Sequence, residues 1–200
     1  MSAMTEVSSL TGRLLVAAPA LSDPNFDRAV VLLLDHDEEG SLGVVLNRPT
    51  PVAVGDVLAS WAGLAGEPDV VFQGGPVSLD SALGVAVIPG DDGSSARPRP
   101  GGGEPLGWRR VHGAIGLVDL EAPPELLAPA LGALRIFAGY AGWGPGQLEA
   151  ELTEGAWYVV ESEPGDVSCP HPEKLWRAVL RRQRGELAMI ATYPDDPSLN

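Results

Sequence analysis

Two short runs rich in Leu and Val, Gly12 to Ala18 and Ala29 to Leu34, are bounded by turn formers such as Ser22-Asp23-Pro24-Asn25. They are too short for typical helices and read as buried strands. Polar Asp35-His36-Asp37-Glu38-Glu39-Gly40 follows, and the apolar run resumes from Leu42 to Leu46. A hairpin is the simplest joining, so the fold starts from a sheet.

The rest of the chain mixes element types. Val54, Val57, Leu58, Trp61 and Leu64 recur at spacings of three and four, with Asp56 near the start, which predicts an amphipathic helix over Val54 to Leu64. Val70 to Phe72 and Leu83 to Ile88 read as strands on either side of Gly74-Gly75-Pro76, where glycine opens backbone angles closed to other residues. Trp108 to Val111, Ala114 to Val118, Leu134 to Ala138 and Trp157 to Val160 read as further strands. Short helices are expected near Pro124 and over Gln147 to Leu152. Pro172 to Arg184 reads as a helix with Leu175, Trp176, Val179 and Leu180 inward, and Glu186 to Ala191 extends or restarts it. Helices long enough for crossovers separate only some strands, so a mixed α+β domain fits better than a doubly wound sheet. The 200 residues suit one domain, 1–200. Within it, 90–104 is rich in Gly, Ser, Pro and charge, a composition that predicts a mobile loop.

Three separated segments carry a resemblance: LTGRLLVAAPALSDPNFDRAVVLLLDHDEEGSLGVVLNRP at the start, central FQGGPV, and the later GYAGWGPGQLEAEL. In that order they resemble the signatures of the YqgE/AlgH family of bacterial proteins. The departures are Gly90 to Val111, longer and richer in Gly and Pro than expected, and Ser41, where alanine is commoner. The resemblance implies a compact α+β fold with a strongly bent, partly barrel-like sheet flanked by helices. One branch of the family carries a name linked to regulation of alginate production. That implies an indirect regulatory role, as no DNA-binding motif accompanies it and no settled reaction comes with it.

Composition excludes several classes. A net charge of -14 repels phosphate backbones and anionic lipid heads, so neither direct nucleic-acid contact nor a membrane partner is expected. No secretory leader and no apolar stretch of about 18 residues is visible, which makes the cytoplasm the expected compartment. Cys169 is the only cysteine, which rules out an intramolecular disulfide.

Candidate ligand-binding residues fall in three places. Gly142-Trp143-Gly144-Pro145-Gly146-Gln147 enters a helix, where free N–H groups can hold a phosphate or carboxylate; Glu149 and Glu151 compete for the same dipole, and the alternative is a tight turn. Gly74 and Gly75 could expose donors beside the same pocket if the two loops meet, or serve a bulge or sharp strand exit. Arg48 could offer its planar fork to an anion with Asn47 beside it. Alternatively, Arg48 pairs with an acidic neighbour and Asn47 shapes the turn before Pro49.

No P-loop, dinucleotide fingerprint or Gly-x-Ser-x-Gly elbow is present, and His36, His112 and His171 sit in unrelated contexts. His36 reads as part of a solvated turn, and Cys169 with His171 and Glu173 as at most a partial metal site. Arg177, Arg181 and Arg184 form a helical stripe that solvent suffices to explain. No catalytic set, metal site or cofactor is expected. The reading is a non-catalytic domain that binds a small anionic ligand or a protein partner. The alternative is a hydrolase assembled from the Asn47/Arg48 strand end, His36 and the two glycine loops.

Overall fold

The structure is a computed structural model that describes residues 10–89 and 106–194. The segment 90–104, expected as a mobile loop, lies outside the described residues. The opening apolar runs become β1 (Leu14–Ala17) and β2 (Val30–Asp37), and β2 forms the expected antiparallel hairpin with β3 (Gly40–Val45). β4 (Pro49–Ala53) and β5 (Val70–Gln73) pair with each other. Then come β6 (Val77–Val87), β7 (Trp108–His112), β8 (Ile115–Val118), β9 (Ala133–Trp143) and β10 (Trp157–Val160). The strand order is β10-β1-β2-β3-β9-β6-β8-β7, with β5 added parallel to β9 through Phe72 and Phe137.

The bend of the sheet is centred on β9. Residues Ala133 to Ala138 pair with β6, while Ala141 to Trp143 pair with β3 on the other branch. Gly139 lies between them at φ +72, a left-handed conformation that glycine adopts without a Cβ penalty. The result is the expected α+β architecture with a strongly curled sheet.

Both faces of β1 and β2 are covered, which is why their sequences are continuous rather than alternating. Leu14, Val16, Val30 and Leu32 point to a core shared with Leu175, Trp176, Val179 and Leu180. The last four lie on α4 (Leu175–Arg181), itself introduced by a 3-10 turn at Pro172–Lys174. Leu15, Val31, Leu33 and Val45 face the opposite way, against Trp143, Trp157 and Leu148 of α2 (Gln147–Thr153). Truncating a fully buried Leu such as Leu32 or Leu33 to Ala should cost about 2–5 kcal/mol.

The helix expected over Val54 to Leu64 is broken. An α-turn at Val54–Val57, α1, ends at Leu58 (φ -137, ψ 69), and a 3-10 segment runs from Ala59 to Leu64. The break lets Trp61 enter the core, where its indole Nε1 donates to the Leu120 carbonyl at 3.0 Å. β4 escapes the sequence pattern because Pro49 and Pro51 interrupt it, as prolines do on edge strands. Short helices α3 (Pro164–Val167) and α5 (Glu186–Ile190) complete the chain.

Candidate functional site

The end of β3, the end of β5 and the turn before β2 enclose a cleft of about 120 Å3, lined by Pro24, Asn25, Val45, Arg48, Gln73, Gly75 and Pro76. Its frame is set by Asn47, which is 9% exposed. The Asn47 side chain accepts from the Val30 amide at 3.0 Å through Oδ1 and donates through Nδ2 to the Arg28 carbonyl at 2.8 Å. It thereby ties the end of β3 to the start of β2 and belongs to the frame rather than the lining. The turn itself is locked by Asp23, whose Oδ1 accepts from the Asn25 amide at 2.9 Å.

Arg48 follows Asn47 and reaches into the cleft. Its guanidinium Nη2 donates to the backbone carbonyl of Asp27, and its own carbonyl accepts from the Gln73 amide at 2.8 Å. Burial pushes the guanidinium below its ordinary value, and the nearby Asp27 carboxylate acts in the opposite sense. A partly desolvated guanidinium binds an anion more strongly than one in open water.

The Gly74-Gly75 pair is required by close approach. Gly74 donates to the Ala138 carbonyl and accepts from the Val45 amide, both at 2.8 Å. A Cβ at Gly74 would lie 2.3 Å from the Gly139 oxygen, and one at Gly75 would lie 2.2 Å from the Tyr140 backbone. Gly75 lines the cleft, while Gly74 sits behind its wall.

The other glycine segment stands apart. Trp143 is 5% exposed and packs with Phe26 and Trp157. The Gly144 amide donates to Gln147 Oε1 at 3.0 Å, and its carbonyl accepts from the Gln147 amide at 3.1 Å. Gly146 caps α2 at φ 73. Gly142, Gly144 and Gly146 are exposed, and none of them lines the Arg48 cleft. The two glycine segments share no cavity; they meet only through β9, where a Cβ at Gly75 would overlap the Tyr140–Ala141 backbone that leads into Gly142.

Sequence reasoning missed Pro24 and Asn25 as lining residues and took Gln73 only as the start of the Gly74-Gly75-Pro76 turn. Their convergence depends on the register of β2, β3 and β5, which local pattern does not encode. His36, expected in a solvated turn, is instead buried, because the strand of β2 runs on to Asp37 and carries it under α2. Elsewhere, Arg177 of the arginine stripe donates to the Ala191 carbonyl at 2.5 Å, and Arg182, just past the end of α4, is held by Asp166 at 2.5 and 2.6 Å, so both are engaged within the fold. His171 is turned to solvent, 3.6 Å from Glu173. Among the described residues no group of three His, Cys, Asp or Glu could hold a metal, and no helix is long and apolar enough to cross a membrane.

Comparisons with known proteins agree with this architecture. A UPF0301 protein of Streptomyces coelicolor is 85% identical over 200 residues, covering all of both chains. A UPF0301 protein of Thermobifida fusca is 50% identical over 96% of each chain. The crystal structure of a Corynebacterium diphtheriae protein superposes with a TM-score of 0.82 at 33% identity, covering 92% of both chains. The solution structure of the AlgH protein from Pseudomonas aeruginosa gives 0.64 at 27% identity, covering 97% of this chain and 98% of that one. With the AlgH-like family pattern matching residues 14–188, the chain belongs to the AlgH-like family.

Proposed function

We propose that this chain is a cytoplasmic binding domain whose Arg48 cleft takes up, without catalysing a reaction there, a small anionic group, a carboxylate or phosphate, and that it regulates indirectly through that ligand or a protein partner. The observation that carries the reading is Arg48 itself. Of the described residues lining the cleft it alone is cationic, and its guanidinium is partly desolvated. Asn25 and Gln73, exposed on the opposite walls, supply amide groups that can donate beside it. The chain's charge of -14 opposes direct contact with nucleic acid.

A hydrolase built from the Asn47/Arg48 strand end and both glycine segments would need all of them at one cavity. Asn47 is engaged by backbone on both sides, and the Gly142 to Gly146 segment lies elsewhere, which favours binding over hydrolysis at this cleft. Inorganic phosphate and acetate titrated into isotopically labelled protein test the reading. Saturable amide shifts are expected at Asn25, Gln73 and Gly75. Shifts confined to Gly142 to Gln147, or none, would contradict it.

A further inference from the structure

We propose a second, chemically reactive site at the far end of the β2–β3 hairpin, where Ser41, His36 and Glu149 form a nucleophilic serine centre for esters that carry positive charge. This goes beyond the anion-binding reading and uses none of the Arg48 cleft.

The site is made by a bulge. The register of β2 against β3 shifts between Leu33 and Asp35, and His36 then pairs directly with Ser41. Val31 and Leu33 face α2, and strict alternation would send Asp35 there and His36 away. One extra residue on β2 reverses that order. His36 is consequently buried, its side chain 4% exposed, while Asp35 faces solvent.

Three groups then stand in line. Ser41 Oγ is 2.5 Å from His36 Nδ1, and His36 Nε2 is 3.2 Å from Glu149 Oε1 on α2. A carboxylate only accepts hydrogen bonds, so it selects the imidazole tautomer with the proton on Nε2. Nδ1 then carries the lone pair, and the Ser41 hydroxyl donates to it. This is the nucleophile, base and orienting acid arrangement that activates serine, recognised by geometry rather than by a sequence elbow.

Ser41 opens onto a hollow of about 270 Å3, lined also by Asp35, Asp37, Glu39, Gly40, Leu42 and Trp143. Among these described residues are three carboxylates and no cation, so a substrate with an ammonium group near its carbonyl is attracted and an anionic one repelled. In the first half-reaction Ser41 Oγ attacks the carbonyl carbon as its proton passes to Nδ1. The bond to the alcohol oxygen breaks, and the alcohol leaves with that proton. Water then attacks the acyl-serine, giving its proton to Nδ1, and the carboxylic acid departs as Ser41 recovers its hydrogen. Atoms balance with ester and water alone. Ser41 and His36 are the catalytic residues, and Glu149 is a positioning residue.

The full chain is incubated with a fluorophosphonate, and the adduct is mapped by mass spectrometry. Modification of Ser41 is expected at about 100-fold or more above the rate in the urea-denatured chain, lost in Ser41→Ala and lowered by a similar factor in His36→Gln. Glu149→Gln, at a half-exposed position, should slow it about 10-fold, and Glu149→Asp should restore part of the rate. The 15N shifts of His36 should show a protonated Nε2 in the wild type. The p-nitrophenyl ester of 4-aminobutanoate should turn over about 10-fold faster than that of succinate. Near-UV circular dichroism establishes that each variant is folded. Labelling no faster than in the denatured chain, labelling at another residue, a protonated Nδ1 tautomer, or a Glu149→Gln variant as reactive as wild type would each overturn the proposal.

Discussion

Phe26 stacks on Trp143, with ring centroids 6.2 Å apart and planes 25° from parallel. The turn that carries Pro24 and Asn25 into the Arg48 cleft therefore rests on the glycine-rich segment at the end of β9. Trp157 closes the trio edge-on, 5.5 Å from Phe26 and 6.1 Å from Trp143.

Trp143→Ala removes one of the three rings from a buried position. It should destabilise the protein by about 3–5 kcal/mol, a large part of an ordinary domain's stability. Denaturant melts with comparable m-values measure this. A change within about 0.5 kcal/mol, the range of exposed substitutions, would show that Trp143 is no anchor.

The two glycine segments should respond differently to a methyl group. At Gly75 the new Cβ overlaps the Tyr140 backbone, whereas at Gly144 it meets only Gln147 Oε1 at 3.9 Å. Gly75→Ala should cost about 1–3 kcal/mol or more, and Gly144→Ala should stay within about 0.5 kcal/mol. Equal thermal shifts in the two variants would refute the close approach of the Gly74-Gly75 turn to β9.

Glu151 gives a pH signature. Burial raises its carboxyl above 4.5, the largest cause, while hydrogen bonding to Trp143 works against the shift. Its folded form therefore holds a proton over a pH range in which the unfolded chain has released it. This group's contribution to stability is accordingly favourable below about 4.5 and is lost as pH rises through the folded value. Glu151→Gln should flatten the stability profile just above pH 4.5, and an unchanged slope there would show that the carboxyl is not desolvated.

Direct DNA binding should be absent. Arg182 is committed to Asp166, and the chain's net charge is -14, leaving little to release counterions from a duplex. Fluorescence anisotropy with random and promoter-like duplexes at physiological salt should show no saturation. Salt-sensitive micromolar binding would contradict this.

Much of the sheet is legible in the sequence because β1, β2, β3 and β10 are apolar runs with both faces buried or nearly so. The first half of β6 is not, because Val77 to Asp80 and Ser81 are exposed, with Ser78 at φ 50 among them. Arg48 and Gly75 stand out by residue type, and both line the cleft. Asn47, read either as a neighbour of an anion site or as a shaper of the turn before Pro49, bonds instead to Arg28 and Val30, partners that can only be named once β2 and β3 are paired. The proximity of His36 to Ser41 is hidden for a related reason: the bulge at Leu34 reverses the side-chain parity that a strand pattern assumes. Nothing local places Glu149 beside them.

The most direct test of the binding account is calorimetric titration of inorganic phosphate and of a small carboxylate into wild type, Arg48→Lys and Arg48→Gln. Saturable binding of at least one anion is expected in wild type. Loss of a charge-assisted hydrogen bond should weaken it by about 10-fold or more in Arg48→Gln. Arg48→Lys, which keeps the charge but not the planar fork, should fall between the two. Equal affinity in wild type and Arg48→Gln, or no binding of either anion by the wild type, would contradict the assignment of this cleft as an anion site.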